Sequence, residues 1–459
     1  MSFWTLADVA DQPALIGVGG TLSRRELAER ADAFIKLLPT ASARKRLGLV
    51  LCRNEAAAVI AYIGALRSGD AVMLLNEQSD PTLLAEIVGR FEPDWIAQHE
   101  GMQCWDACEA SPFAPGWELL ARRTPSPGPP IHADVAVLLS TSGSTGSPKM
   151  VKLSHANLTA NAASIAEYLF IDTDARVITT LPFNYSYGMS VVNSHLLAGA
   201  ALVMTDASLM SREFWDAFEK HQVNSMPGVP YTYQLLHRLN PRKLPLANLR
   251  TLTQAGGHLP APLQSFFHEL SQELGWRFFV MYGQTEAGPR ISYVPPEALA
   301  RKQGSIGIAV PSGRLSLSED GELIYEGPNV MMGYAQCRAD MAGGDELHGR
   351  LATGDLAEID DEGYVFLRGR LKRFIKIHGN RISLDDIEQR LEAEFGPVVI
   401  VGGRDERLRI RHTDGVEPAA IKSLISGLYR LHASVFAIEP VDTIPHTPSG
   451  KKDYTGLNA

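Results

Sequence analysis

Four short segments gather hydroxyl, carboxylate, amide and amino side chains of types that can hold an anion or a metal ion. The first is STSGSTGSPK, residues 140–149, with four serines, two threonines, two glycines, a proline and one lysine, and no apolar side chain. Two chemistries fit that composition. A Gly/Ser tract can be a flexible linker. It can equally be an anion cradle, in which glycines let backbone N–H groups turn inward, hydroxyls add donors and Lys149 adds charge. It is not a Walker loop, which needs Gly-Lys followed by Ser or Thr, whereas Gly146-Ser147-Pro148-Lys149-Met150 stands here. The second segment is MYGQTEAGP, residues 281–289. The Tyr282 ring can stack on a base, Thr285 can donate to a phosphate oxygen and Glu286 can ligate Mg²⁺; the plain alternative is an edge turn. The third, Thr353-Gly354-Asp355, offers a carboxylate suited to two ribose hydroxyls, or else a hairpin turn. The fourth, PHTPSGKKD at 445–453, puts Lys451 in a Pro/Gly-rich loop where a surface tail is the ordinary reading.

The surrounding pattern says what positions these groups. Residues 135–139 form an apolar run that reads as a buried strand emptying into the serine-rich loop, and helix signals begin at Ser154-His-Ala-Asn-Leu. Residues 47–51 and 71–75 read as strands flanking a helix at 54–66, a unit that implies a parallel sheet covered by helices. The pattern recurs with strands at 176–181 and 201–205 around a helix at 191–197, and again at 250–255 and 277–281. In open α/β sheets ligands bind beyond the C-terminal strand ends, and Tyr282, Gln284, Thr285 and Glu286 gather at one. Residues 124–130 (TPSPGPP) read as a surface connector. Near residue 370 the texture changes, with six Lys or Arg in the fourteen residues 368–381. Ser383 with Asp386 makes a capping-box-like start, and Leu384, Ile387, Leu391 and Phe395 fall on one helical face. The fold class expected is therefore α/β: a large N-terminal domain of helix-covered sheets, residues 1–370, and a small C-terminal α+β lid, residues 371–459.

Length and composition bound the rest. At 459 residues the chain is long for one core. A net charge of −9 argues against a sequence-independent nucleic-acid binder. MSFWTLADVAD lacks the basic region of a secretory signal, and no apolar run approaches the roughly 20 residues of a membrane span. Four cysteines suit a reducing, cytoplasmic compartment. Cys104 and Cys108 sit four apart, but no second ligand pair follows, so helix-face thiols are expected rather than a metal site.

The four segments in this order resemble the adenylate-forming (AMP-binding) superfamily of acyl-CoA synthetases, carrier-loading adenylation domains and luciferases, over residues 47–451. The resemblance implies that Thr141, Ser142, Gly143, Ser144, Thr145, Gly146 and Lys149 grip the β- and γ-phosphates of ATP. It implies that Tyr282, within Tyr282-Gly283-Gln284, stacks the adenine, that Thr285 binds the α-phosphate, and that Glu286 holds Mg²⁺. Asp355 and Arg370 would hold the ribose, and Lys451 would bridge carboxylate and phosphate. Gly256 and Gly257 would form a wall shared by adenine and acid, with Tyr185, Ser186 and Tyr187 lining the acid pocket. Lys372 takes the lid's hinge position and Gly379 the thiol tunnel. Ser186 stands where amino-acid-activating members carry an Asp, so an acid without an α-ammonium is expected. The lid is short around 402–416. The activity implied is an ATP- and Mg²⁺-dependent ligase that adenylates a carboxylic acid and passes the acyl group to CoA. The alternative acceptor is the phosphopantetheine of a carrier protein, and a luciferase-like oxygenase is the rival from another class.

Overall fold

Consecutive apolar residues build the middle of the molecule. The strands Leu47–Cys52, Ala71–Asn76 and Val135–Ser140 are buried along almost their whole length, as strands of a parallel sheet covered on both faces must be. In the computed structural model the described residues are 2–6, 11–17, 19–39, 44–102, 105, 108–124, 126–140, 149–371, 373–377, 380–404, 407–429, 431–446, 452–454 and 457. Among them are two large sheets, of 13 and 8 strands. In the smaller sheet, Val135–Ser140, Ala71–Asn76, Leu47–Cys52 and Trp95–His99 run parallel. In the larger, the strands Arg176–Ile178, Ser225–Gly228, Thr251–Gln254 and Arg277–Tyr282 are parallel neighbours. Antiparallel strands then continue that sheet to Arg350–Ile359 and Val365–Arg370.

Helix Ala56–Ser68 is apolar around most of its circumference, and both it and Ser186–Leu197, on which Ser186, Ser190 and Asn193 share one face, are buried along most of their length. A helix without a polar face needs cover on all sides. One continuous core joins both sheets through them.

The expected α/β class and strand–helix alternation stand, with two local differences. The serine-rich loop does not lead straight into a helix. A strand, Met150–Ser154, pairs back antiparallel on Val135–Ser140, with Ser140 opposite Met150, so the loop's two ends are held in register. The helix His155–Tyr168 follows, capped by Ser154, whose hydroxyl accepts from the Asn157 N–H while the Asn157 side chain accepts from Ser154 N–H. The strand was hidden because Met150-Val-Lys-Leu-Ser154 interrupts its apolar run with Lys152, a fully buried lysine paired with Glu346. Cys108, expected on a helix face, opens the strand Cys108–Ala114 instead; Cys104 lies outside the described residues.

Beyond residue 370 come the hairpin Phe374–Ile377/Asn380–Ser383, helices Leu384–Phe395 and Pro418–Tyr429, and a three-stranded sheet. They have their own core, in which Leu384, Ile387 and Leu391 are buried and Phe395 packs at its margin. The shortened stretch forms the hairpin Val399–Arg404/Arg407–His412.

Candidate active site

The strand Arg277–Tyr282 ends in a crevice, and the turn after it concentrates the polar groups. Gly283 is forced at the exit: a Cβ there would lie 1.7 Å from the Pro289 carbonyl oxygen. Tyr282 donates its hydroxyl to Asp355 Oδ2. Gln284 Nε2 donates to the same carboxylate at 3.2 Å, to the Tyr282 hydroxyl at 3.1 Å and to the Thr353 carbonyl at 2.8 Å. Arg370 Nε reaches Asp355 Oδ1 at 3.1 Å, since Asp355 and Arg370 face each other across paired strands. Burial, and then the Asp355 charge, push the Tyr282 phenol well above its ordinary range, so it remains a donor at neutral pH. Four of the sequence-predicted residues thus form one network, and Asp355 itself is only 3% exposed.

One residue further, Thr285 and Glu286 open a single helical turn. The Thr285 and Ser186 hydroxyls lie 3.1 Å apart, which joins the strand end to the start of helix Ser186–Leu197. The Glu286 carboxylate accepts from the Tyr334 hydroxyl at 2.9 Å. The Tyr334 ring in turn carries Lys149 Nζ 3.3 Å from its centroid, so the last residue of the serine-rich loop and Glu286 share one aromatic. Burial and the Glu286 charge hold the Tyr334 phenol protonated. The turn is fixed from behind: Asn329 Nδ2 donates to the carbonyls of Ala287 and Arg290, and Met331 N–H to that of Glu286. Among the described residues no group of three or more His, Cys, Asp or Glu is arrayed around a metal. A magnesium ion riding on substrate phosphates needs only one or two protein carboxylates, and Glu286, with one oxygen committed to Tyr334, fits that need.

Gly256 has φ +84°, and a Cβ there would sit 2.7 Å from the Tyr185 hydroxyl; at Gly257 it would meet Pro230 at 3.1 Å. The glycine pair and Tyr185 therefore form one wall, locked by Gln254 Nε2 donating to the Gly257 carbonyl. Tyr187 is buried, its hydroxyl bonded to Thr253, and the Arg290 guanidinium lies 3.9 Å from its ring centroid. Burial pushes Tyr185 up to about 12, with Arg290 pulling the other way. On the far side of Asn184 a cavity of about 470 Å³ opens between both sheets, lined by Thr180, Asn184, Asp206, Val229 and Tyr231 among others.

Thr141, Ser142, Gly143, Ser144, Thr145, Gly146, Lys372, Gly379 and Lys451 lie outside the described residues. Their flanks are placed. His446 sets its ring 5.8 Å from that of Tyr231, and the charge of Lys452 is felt at His258, next to Gly257. Lys452 is anchored on Glu388 at 2.8 Å, on Glu392 and on the Val399 carbonyl at 2.7 Å; Tyr454 also donates to Glu388, at 2.8 Å. Tyr334, Asn329 and Arg290 belong to the site and were missed. Tyr334 and Asn329 carry no periodic signal, but an arginine between Pro289 and the apolar Ile291 of a strand-like run was a visible anomaly.

The AMP-binding enzyme family matches residues 3–335. A feruloyl-CoA synthase of an Amycolatopsis species is 31% identical over 372 residues, 73% of this chain and 72% of that protein. The o-succinylbenzoate CoA synthetase MenE of Bacillus subtilis, solved with its acyl-adenylate intermediate, superposes with a TM-score of 0.80 at 22% identity, over 98% of this chain and 97% of that one. ATP-bound MatB from Rhodopseudomonas palustris gives 0.79 at 22% identity over 100% of both chains. These last two likenesses are likenesses of fold.

Proposed function

The chain belongs to the AMP-binding enzymes, and from that premise we propose that it is an AMP-forming acid–thiol ligase, adenylating a carboxylic acid with ATP and transferring the acyl group to CoA. The observation that carries the reading is the 3.1 Å contact between Thr285 and Ser186. On this reading the contact joins a nucleotide end (Tyr282, Gln284, Asp355, Arg370) to an acid end (Tyr185, Ser186, Tyr187, Gly257) at the residue proposed to hold the α-phosphate. The named activity of the feruloyl-CoA synthase relative supports CoA as acceptor.

The chemistry follows from the residue types. A carboxylate with a solution pKa near 4.3 is ionised at neutral pH and needs no general base to attack phosphorus. Its difficulty is anion meeting anion, which fixed cations and donors relieve. Glu286 would hold Mg²⁺, which when bound would supply charge neutralisation at the phosphates. Thr285 donates to the α-phosphate, Lys149 with the 141–146 loop holds the outer phosphates, and Lys451 bridges carboxylate and phosphate. The Tyr282 ring stacks the adenine while Asp355 and Arg370 hold the ribose. Residues 371–459 act as a lid turning about Lys372, presenting Lys451 for adenylation and Gly379 for the thiol. Tyr185, Ser186 and Tyr187 are uncharged, so an α-ammonium has no counter-ion there and the substrate is an acid without one.

Incubation with ATP, Mg²⁺, CoA and a panel of acids tests this. Expected products, by mass spectrometry, are AMP, pyrophosphate and one acyl-CoA, with amino acids inactive. ADP and phosphate as products would refute the ligase reading. Thioester on a phosphopantetheinylated carrier but not on CoA would change the acceptor alone.

A further inference from the structure

Arg290 differs from three other buried cations among the described residues. It is 2% exposed, yet among the described residues no carboxylate pairs with it, and its Nε has no hydrogen-bond partner. Lys152, Lys302 and Arg338, buried to a similar degree, each hold a carboxylate, respectively Glu346, Asp360 and Asp94. What surrounds Arg290 is aromatic. Its guanidinium stacks on Tyr187 at 3.9 Å, is hydrogen-bonded to the Tyr168 phenol and is near enough to Tyr185 for its charge to act there.

Those phenols are no substitute for a counter-ion. Burial holds all three above their ordinary range, so they are neutral at physiological pH. Stacking on Tyr187 offsets part of the desolvation of the cation, but a buried guanidinium without a hydrogen-bonded anion remains a strongly unfavourable arrangement. Side chains kept in such a state belong disproportionately to ligand sites. The position fits one. Arg290 ends the turn that begins at Thr285, and it lies against Tyr187, the neighbour of Ser186, whose hydroxyl meets that of Thr285.

We infer that Arg290 reads a second, distal carboxylate on the acid, so that the enzyme's substrate is a dicarboxylic acid activated at one end and held at the other. This rests on the ligase reading and narrows it. Nε is buried without a partner, and a substrate carboxylate bound there would take Nε and a neighbouring Nη through two parallel N–H···O bonds, a geometry that lysine does not offer. The reacting carboxylate goes to the Thr285 end and the spectator carboxylate to Arg290, which also explains why no protein acid stands there. An α-ammonium brought into this pocket meets a cation instead of a partner.

The test is acid-dependent pyrophosphate release with matched pairs: hexanoate against adipate, octanoate against suberate, and 4-phenylbutyrate against its para-carboxylated analogue. The parent enzyme should favour at least one diacid over its matched monoacid by 30-fold or more in kcat/KM. Arg290→Met, similar in length and uncharged, should lower that diacid's kcat/KM at least 100-fold and invert the preference. Arg290→Lys should keep a reduced preference for the diacid. Melting of the parent protein is an independent readout: the diacid should raise the melting temperature and its monoacid should not. Monoacids favoured in every pair, with no diacid-specific thermal shift, overturn the inference while leaving the ligase reading intact. Pyrophosphate release that no acid stimulates removes both.

Discussion

At the end of the crevice assigned to the nucleotide, polar groups satisfy one another: Tyr282 and Gln284 on one Asp355 oxygen, Arg370 on the other, Gln284 also on the Thr353 carbonyl. At the acid end they do not. Arg290 Nε and Asn184 Oδ1 are buried without a partner. Buried polar atoms are nearly always hydrogen-bonded, so the contrast is informative. A ligand that never changes can be met by a rigid, pre-paired surface, whereas the acid end keeps its hydrogen-bonding capacity for a group that only the substrate brings. On the proposed reading the first end positions and the second selects.

Four substitutions probe that difference. The largest loss is expected at Lys451. Lys451→Ala should slow pyrophosphate release about 1000-fold, roughly 4 kcal/mol, as a missing charge between two anions would. Conversion of supplied acyl adenylate and CoA to thioester should stay near the parent rate; equal loss in both steps would mean that the lid is damaged rather than one of its poses. Next comes Glu286→Gln, which keeps shape but weakens a metal ligand. Adenylation should fall about 100-fold, near 2.7 kcal/mol, with partial recovery at raised Mg²⁺. Normal turnover at low Mg²⁺ would remove Glu286 from the site.

The third is a stability effect at His195, in the last turn of the helix that begins at Ser186. Burial lowers His195 to about 4, although the Val191 carbonyl opposes this. The folded state thus holds the imidazole neutral while the unfolded chain takes up a proton near pH 6.5. The contribution of this group is whole above pH 6.5 and is lost as pH falls toward 4. At pH 5 the loss is about 2 kcal/mol. His195→Leu should flatten the melting temperature between pH 7 and pH 5 relative to the parent; an unchanged slope would show that other groups set the acid sensitivity. The smallest effect is Gly256→Ala. The positive φ and the 2.7 Å approach to Tyr185 mean that either the backbone or the Tyr185 ring must shift. A roughly 10-fold rise in KM for the acid is expected, about 1.4 kcal/mol, with KM for ATP less affected.

The grouping of Tyr282 and Gln284 with Asp355 was legible in the sequence because these groups come in short contiguous runs, Tyr282 to Glu286 and Thr353 to Asp355. The α/β class was legible because consecutive apolar residues and strand–helix alternation leave few architectures. What escaped were groups brought in from a distance. Tyr334 reaches Glu286 from a three-residue strand, and Asn329 ties down the 287–290 turn from a loop. The strand Met150–Ser154 escaped because its one charged residue, Lys152, is neutralised by Glu346, 194 positions away. Local pattern cannot carry such pairings, since they exist only after the sheets assemble.

The claim that everything else depends on is that a carboxylate attacks the α-phosphate before any thiol is needed. Exchange of labelled pyrophosphate into ATP, with acid present and CoA absent, measures that step alone. Exchange should require the acid, proceed without CoA and collapse in Lys451→Ala. Exchange that is indifferent to the acid, or that appears only once CoA is added, would contradict it.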